Sequence, residues 1–317
     1  MARTYPQRAT TATITAMMTA TYAGEIRFTE SVVDMLISGL ICGDVDVSDM
    51  PRVRSDDVSV HYTVDGPPAG STVLLLEGLG YGRWMWDWLT DEFDDEFRVV
   101  RPDNRGTGDS DTPDGPYSIG TMADDVMAVL NDLDVDEVHV VGASMGGMIA
   151  QQLALADERV VSLVLLCTTP GGENAVETPP EVLDHVFSVP DEAGPREAVR
   201  HRMEPAISDG FDDREPELVS EIVDARLEGD AGPQGREAQA AAVAAFDVAD
   251  RLDELDVPTL VLHGTDDRVL PVENAELLAD GVDNATVDRI DGGSHLFFIE
   301  ERDTVNPRIR EFLGEHA

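Results

Sequence analysis

Lysine is missing altogether from this 317-residue chain, so all 22 of its basic residues are arginine. Against them stand 64 acidic residues, for a formal net charge of −42. So poor a supply of cations excludes partners that are held by neutralising phosphates, which removes nucleic acid and anionic membrane surfaces. Cysteine is scarce as well. Cys42 and Cys167 are the only two and stand far apart, which excludes a disulfide framework and a zinc site built from paired thiolates, so no metal is expected. This thiol usage fits a reduced, cytoplasmic setting. No apolar run approaches the roughly 18 residues of a membrane span, and the chain reads as soluble.

What the chain has in excess is carboxylate, divided into 39 Asp and 25 Glu. Small domains usually carry a net charge of roughly 2 to 8 in magnitude. At −42 the compact state repels itself in dilute buffer, whereas molar salt, with a Debye length of about 3 Å, screens that repulsion. The composition resembles that of haloarchaeal proteins. A hydrophobic fraction of 42%, arranged in regular runs, excludes a disordered chain and predicts a sizeable core.

Residues 1–49 differ from the remainder, with eight Thr among the first 29 positions and a net charge of only −3. The stretch Ala9 to Ala20 is mostly Thr and Ala and lacks the apolar core of a secretory signal. The segment is read as an extension or as sequence upstream of a true start at Met50. From Met50 onward, short runs rich in Val and Leu alternate with helical patterns: Val58 to Val64, Thr72 to Leu76, Arg98 to Val100, Val138 to Val141, Val161 to Leu166 and Thr259 to Leu262. Continuous apolar strands between helices predict an α/β fold with a mostly parallel, doubly wound sheet covered on both faces. Residues 171–246 interrupt this alternation. They hold seven of the eighteen prolines, no strand-like run, and apolar residues at helical spacing such as Leu218, Ile222 and Val223. A helical cap inserted into a core of residues 50–170 and 247–317 is expected, since an ordinary crossover needs far fewer residues.

The most informative motif is Gly142-Ala143-Ser144-Met145-Gly146, a G-x-S-x-G that follows one predicted strand and opens a helix at Met148 to Ala154. That strand-turn-helix setting is what a nucleophile elbow requires, and the helix N-terminus adds partial positive charge for a developing oxyanion. A serine needs a base, and the base an orienting acid. Two later loops supply them, one containing His263, Asp266 and Asp267, the other Asp291-Gly292-Gly293-Ser294-His295. Both follow strands, so both lie at the carboxyl edge of a parallel sheet, where Ser144 also emerges. The order Ser, Asp, His is that of α/β-hydrolase triads.

On these residues the chain resembles the α/β-hydrolase superfamily, and within it the esterase and lactonase branch that includes 3-oxoadipate enol-lactonases and aclacinomycin methylesterases. Further matching segments are Asp103-Asn104-Arg105-Gly106-Thr107-Gly108-Asp109-Ser110, Gly115-Pro116-Tyr117-Ser118 and Thr168-Thr169-Pro170-Gly171-Gly172. The resemblance implies a hydrolase without a cofactor, acting on a small-molecule acyl substrate, an ester or lactone. It places the acid on Asp267 rather than Asp266, the base on His295 and the oxyanion donors on the backbone N–H groups of Leu79 and Met145. C–C bond hydrolases and perhydrolases share such a triad, and a low-turnover receptor shares the fold. One position departs from the family pattern: Glu77 stands where the family usually has His, either bracing the oxyanion loop or opposing the oxyanion with its charge. Trp84, Trp86 and Trp88 follow that loop; they belong to the core, or Trp84 and Trp86 line a substrate pocket. The Arg105-Gly106-Thr107-Gly108 stretch lacks the Lys and Ser/Thr of a phosphate loop and is read as a turn bracing the elbow.

Overall fold

The computed structural model describes residues 51–190 and 192–317, so the reading of residues 1–49 falls outside the described residues. Alternation along the strands sets the architecture. In β1 (Arg52–Ser55), β2 (Val58–Asp65), β3 (Thr72–Leu76), β4 (Arg98–Pro102), β5 (Val138–Ala143), β6 (Val160–Leu166), β7 (Thr259–Gly264) and β8 (Ala285–Ile290), successive side chains point to opposite faces. Leu74, Leu76, Val138, Val140, Leu163 and Leu165 enter one apolar layer. Their neighbours Val73, Leu75, Val141, Ala143, Val164 and Leu166 enter the other. Central strands buried on both sides have no polar face, which is why they read as unbroken Val/Leu runs. The strand order is β1-β2-β4-β3-β5-β6-β7-β8. The pairings β1 with β2 and β2 with β4 are antiparallel, and the rest are parallel.

Helices cover both layers. They are α1 (Asp87–Phe93), α2 (Ile119–Asp132), α3 (Met145–Ala154), α4 (Pro180–Phe187), α5 (Pro195–Met203), α6 (Phe211–Arg214), α7 (Pro216–Gly229), α8 (Pro233–Ala244), α9 (Glu273–Gly281), α10 (Phe297–Glu300) and α11 (Arg302–His316). Met122 of α2, Ile149 of α3 and Leu278 of α9 pack on the first layer. Phe93 of α1 and Ile309 and Leu313 of α11 pack on the second. Each such side chain stabilises the fold by about 1.5–3 kcal/mol over its exposed state. Ser118 starts α2 by accepting from the Thr121 N–H at 3.0 Å, while its own N–H donates to Thr121 Oγ1.

Between β6 and β7 the chain leaves the sheet and forms α4 to α8. Pro180, Pro195, Pro216 and Pro233 each occupy a first helical position, so the prolines of this segment begin its short helices. An antiparallel bridge joins Gly171 to Asp247, and the segment thus departs and returns at one place. Within it, α7 buries Leu218, Val219, Ile222 and Val223, whereas α4 buries no residue.

Candidate active site

Ser144 links β5 to α3 with φ 55° and ψ −117°, in the left-handed half of φ space. A non-glycine residue held there costs on the order of 1–3 kcal/mol, so the surroundings must enforce it. They do so with hydrogen bonds. The Ser144 N–H donates to the Leu166 carbonyl (2.9 Å), and the Ser144 carbonyl accepts from Thr168 Oγ1 (2.7 Å) and from the Gly147 N–H (3.0 Å). Close packing explains the flanking glycines. A Cβ on Gly142 would collide with the Gly146 carbonyl, one on Gly146 with the Leu76 carbonyl, and one on Gly147 with the Thr168 side chain. The motif is therefore a contact between backbones, and it leaves Ser144 half-buried at the carboxyl edge of the sheet.

Asp267 and His295 come from the loops after β7 and β8, which are tied to each other. The Asp266 N–H donates to the Gly293 carbonyl (2.9 Å) and the Thr265 N–H to that of Ile290 (3.0 Å). His295 Nδ1 donates to Asp267 Oδ2 at 2.7 Å, because an ionised carboxylate can only accept. The other oxygen, Oδ1, accepts from the N–H groups of Val269 (2.8 Å) and Leu270 (2.9 Å). Burial opposes charge on Asp267, but its partner His295 and the adjacent His263 outweigh it and hold the carboxyl down at about 2. Asp266 by contrast is exposed.

Two neighbours of this pair carry no sequence motif. His263 Nε2 donates to the Leu270 carbonyl at 2.8 Å and lies 3.3 Å from Asp267 Oδ2, so the penultimate residue of β7 supports the same carboxylate. Cys167, directly after β6, has its sulfur within 4.8 Å of ligating atoms of Asp267 and His295. Burial first, then the Asp267 charge, push this thiol well up, which favours its protonated form. The cluster His61, Asp103 and Asp109 also brings donor atoms together, but the Arg83 guanidinium already bonds to all three.

The loop after β3 brings Gly78 to the elbow, where a Cβ would stand 3.5 Å from that of Ser144. The N–H groups of Gly78, Gly80 and Tyr81 have partners in Met85 Sδ, Gln239 Oε1 and the Gly78 carbonyl. That of Leu79 has none among the described residues. Met145 is the first residue of α3, so its N–H has no acceptor within the helix either. Glu77 braces the loop: fully buried, it accepts from the Asn104 N–H at 2.7 Å. Burial and then the Asp103 charge raise its carboxyl well above the usual range, favouring the neutral form. The turn at Arg105 to Gly108 supports this loop rather than the elbow, because Gln239 donates to the Arg105 carbonyl and Thr107 Oγ1 while accepting from Gly80. Trp86 is 1% exposed and packs at a tilt against the Phe298 ring in the core, which leaves it no open surface toward a pocket. Trp84 is also buried and donates its indole N–H to Asp230 Oδ1 at 2.9 Å.

A strained serine elbow and a buried Asp–His pair at one edge of a mostly parallel sheet define a hydrolase of the α/β class. A family model for the alpha/beta hydrolase fold matches residues 71–302, and the chain belongs to that family. It is 34% identical over 267 residues to a poly(3-hydroxyalkanoate) depolymerase of Ectopseudomonas oleovorans, covering 83% of this chain and 92% of that protein. It is 26% identical over 264 residues to 3-oxoadipate enol-lactonase 2 of Acinetobacter baylyi, covering 82% and 95%. Among solved structures, Est816, an N-acyl homoserine lactone degrading enzyme, matches with a TM-score of 0.70 and 32% identity over 83% of this chain and 100% of that one. No helix among the described residues is long and apolar enough to cross a membrane.

Proposed function

We propose that the protein hydrolyses a carboxylic ester or lactone through an acyl-enzyme on Ser144. His295 takes the hydroxyl proton as Ser144 attacks the carbonyl carbon, then gives it to the leaving alcohol. In the second half, His295 takes a proton from water as the water oxygen attacks the acyl carbon, then gives that proton to the departing Ser144 oxygen, which releases the acid and restores both side chains. Asp267, ionised and bonded to Nδ1, keeps the imidazole in the tautomer whose Nε2 can accept that proton. The N–H groups of Leu79 and Met145 bind the oxyanion, each donor worth about 100- to 1000-fold in rate. The observation that carries the reading is the 2.7 Å Asp267–His295 hydrogen bond, on the sheet edge that also presents Ser144 at positive φ. The lactonase and depolymerase relatives support the bond class.

The test is a screen of acyl esters and lactones in molar KCl with the wild type and Ser144→Ala. Turnover by the wild type that disappears in the variant is expected. Equal turnover by both would contradict the proposal.

A further inference from the structure

Three groups of described side chains bring metal-ligating atoms within 4.8 Å of one another, and two of them are accounted for. Cys167, Asp267 and His295 belong to the active site, and His61, Asp103 and Asp109 are bonded to the Arg83 guanidinium. The third, His185, His201 and Glu204, lies in the helical insertion, and no step of the hydrolysis uses it. His201 stands in the last turn of α5 and Glu204 directly follows that helix; three residues apart, they are neighbours on one face. His185 reaches them from α4. Its ring stacks on that of His201, with centres 3.9 Å and planes 17° apart, while its Nε2 lies 2.9 Å from the His201 carbonyl and 3.3 Å from Glu204 Oε2. Both imidazoles are half-buried and Glu204 is exposed, so the group is open to solvent.

Two features suit this group to an ion. The first is spacing: two ligands on a tetrahedral ion with bonds of about 2.0–2.1 Å stand about 3.3 Å apart, the separation already found between His185 Nε2 and Glu204 Oε2. The His201 ring has no hydrogen-bond partner among the described residues, so it is free to turn a nitrogen toward the same point. Two imidazoles and a carboxylate select Zn2+ or a neighbouring transition ion over Mg2+ and Ca2+, which take oxygen ligands. The second feature is α4 itself. This helix buries no residue, and among the described residues its one side-chain hydrogen bond to another element is that from His185 to the His201 carbonyl. Eight residues are too few for a helix to be stable alone, so a bond across to α5 decides whether α4 stays in place.

We propose that His185, His201 and Glu204 bind a Zn2+ ion that cross-links α4 to α5, with water completing its coordination. The ion takes the place of the His185 Nε2 proton, which moves to Nδ1, so the bond to the His201 carbonyl is exchanged for a bond to the metal. The expectation of no metal rested on the absence of paired thiolates, whereas these ligands are imidazoles brought together by two helices.

The experiment is calorimetric titration of the full chain with Zn2+ and with Mg2+ in molar KCl, which screens the diffuse attraction of cations to the acidic surface. One equivalent of Zn2+ is expected to bind about 100-fold or more tightly than Mg2+. His185→Ala and His201→Ala should each weaken it about 10- to 100-fold or more, because losing a ligand costs at least as much as losing a ligand's own hydrogen-bond partner. Zn2+ should also slow amide hydrogen exchange across residues 180–187 in the wild type and in neither variant. Circular dichroism verifies folding, and if an Ala variant fails to fold, His185→Gln and His201→Gln are read on the same binding constant. Zn2+ bound no more tightly than Mg2+ would overturn the site. So would an affinity unchanged in both His variants, which would place the ion elsewhere, as on Cys167 with Asp267 and His295. Binding that leaves exchange in α4 unaltered would overturn the cross-link.

Discussion

The carboxyl edge of the sheet and the helical insertion beside it are built under different constraints. At the edge, backbone lies on backbone: Gly142, Gly146 and Gly264 stand where a single Cβ would strike a neighbouring carbonyl. In the insertion, side chains do the holding, and they do it unevenly. α7 buries four aliphatic residues and Arg226, whereas α4 leaves Leu183 and Phe187 45% and 47% exposed. The difference is one of tolerance. A methyl group on any of these glycines forces the backbone around Ser144 or the neighbouring loops to shift, while exposed side chains of the insertion can be exchanged without touching the elbow.

The largest effect expected is on rate. Ser144→Ala should reduce ester turnover by about 10⁴-fold or more while leaving the circular dichroism melt in place, since the side chain is removed and the turn is kept by hydrogen bonds to its backbone. Asp267→Asn should cost about 10³- to 10⁴-fold in kcat, because an amide can stabilise the wrong imidazole tautomer. Asp267 also predicts a pH effect with a definite sign. Its carboxyl is lowered from 3.8 to about 2 in the folded protein, so its stabilisation is present above about pH 4 and is lost as the pH falls through about 2. That contribution is about 2 kcal/mol, and acid-unfolding curves of the wild type and Asp267→Asn should converge across this window.

Stability measurements sharpen the contrast between the two regions. Raising KCl from about 0.1 to 3 M should raise the melting temperature by about 10 °C or more, because the Debye length falls from about 10 to under 3 Å. Comparison with sulfate at matched ionic strength separates screening from salting-out. Gly146→Ala should destabilise by about 3 kcal/mol through its collision with the Leu76 carbonyl, measured by urea unfolding. Leu183→Ser on α4 should change stability by less than about 0.5 kcal/mol. Equal losses at Gly146 and Leu183 would erase the distinction between the regions.

How far each region was legible in the sequence follows from the same difference. Backbone contact restricts residue type, so the glycines around Ser144 form a pattern that can be read directly, and buried parallel strands read as Val/Leu runs. Asp267 needed a family resemblance to separate it from Asp266, since both follow Gly264 in one loop and only tertiary packing buries the second. His263 stood out only as a histidine near a strand end, and Cys167 gave no signal, because their proximity to Asp267 comes from adjacent strands ending at the same height. Glu77 departs from its family pattern, and its role became readable only through the Asn104 N–H that it accepts.

The central claim is that Ser144 is the nucleophile, and covalent labelling addresses it most directly. Wild type and Ser144→Ala, each shown to be folded in molar KCl, would be treated with a fluorophosphonate and digested, and the adduct located by peptide mass spectrometry. The account predicts a single adduct on the peptide that carries Ser144, formed at a rate that falls sharply in His295→Ala, and none in Ser144→Ala. An adduct at another residue, or labelling that persists in Ser144→Ala, would contradict it.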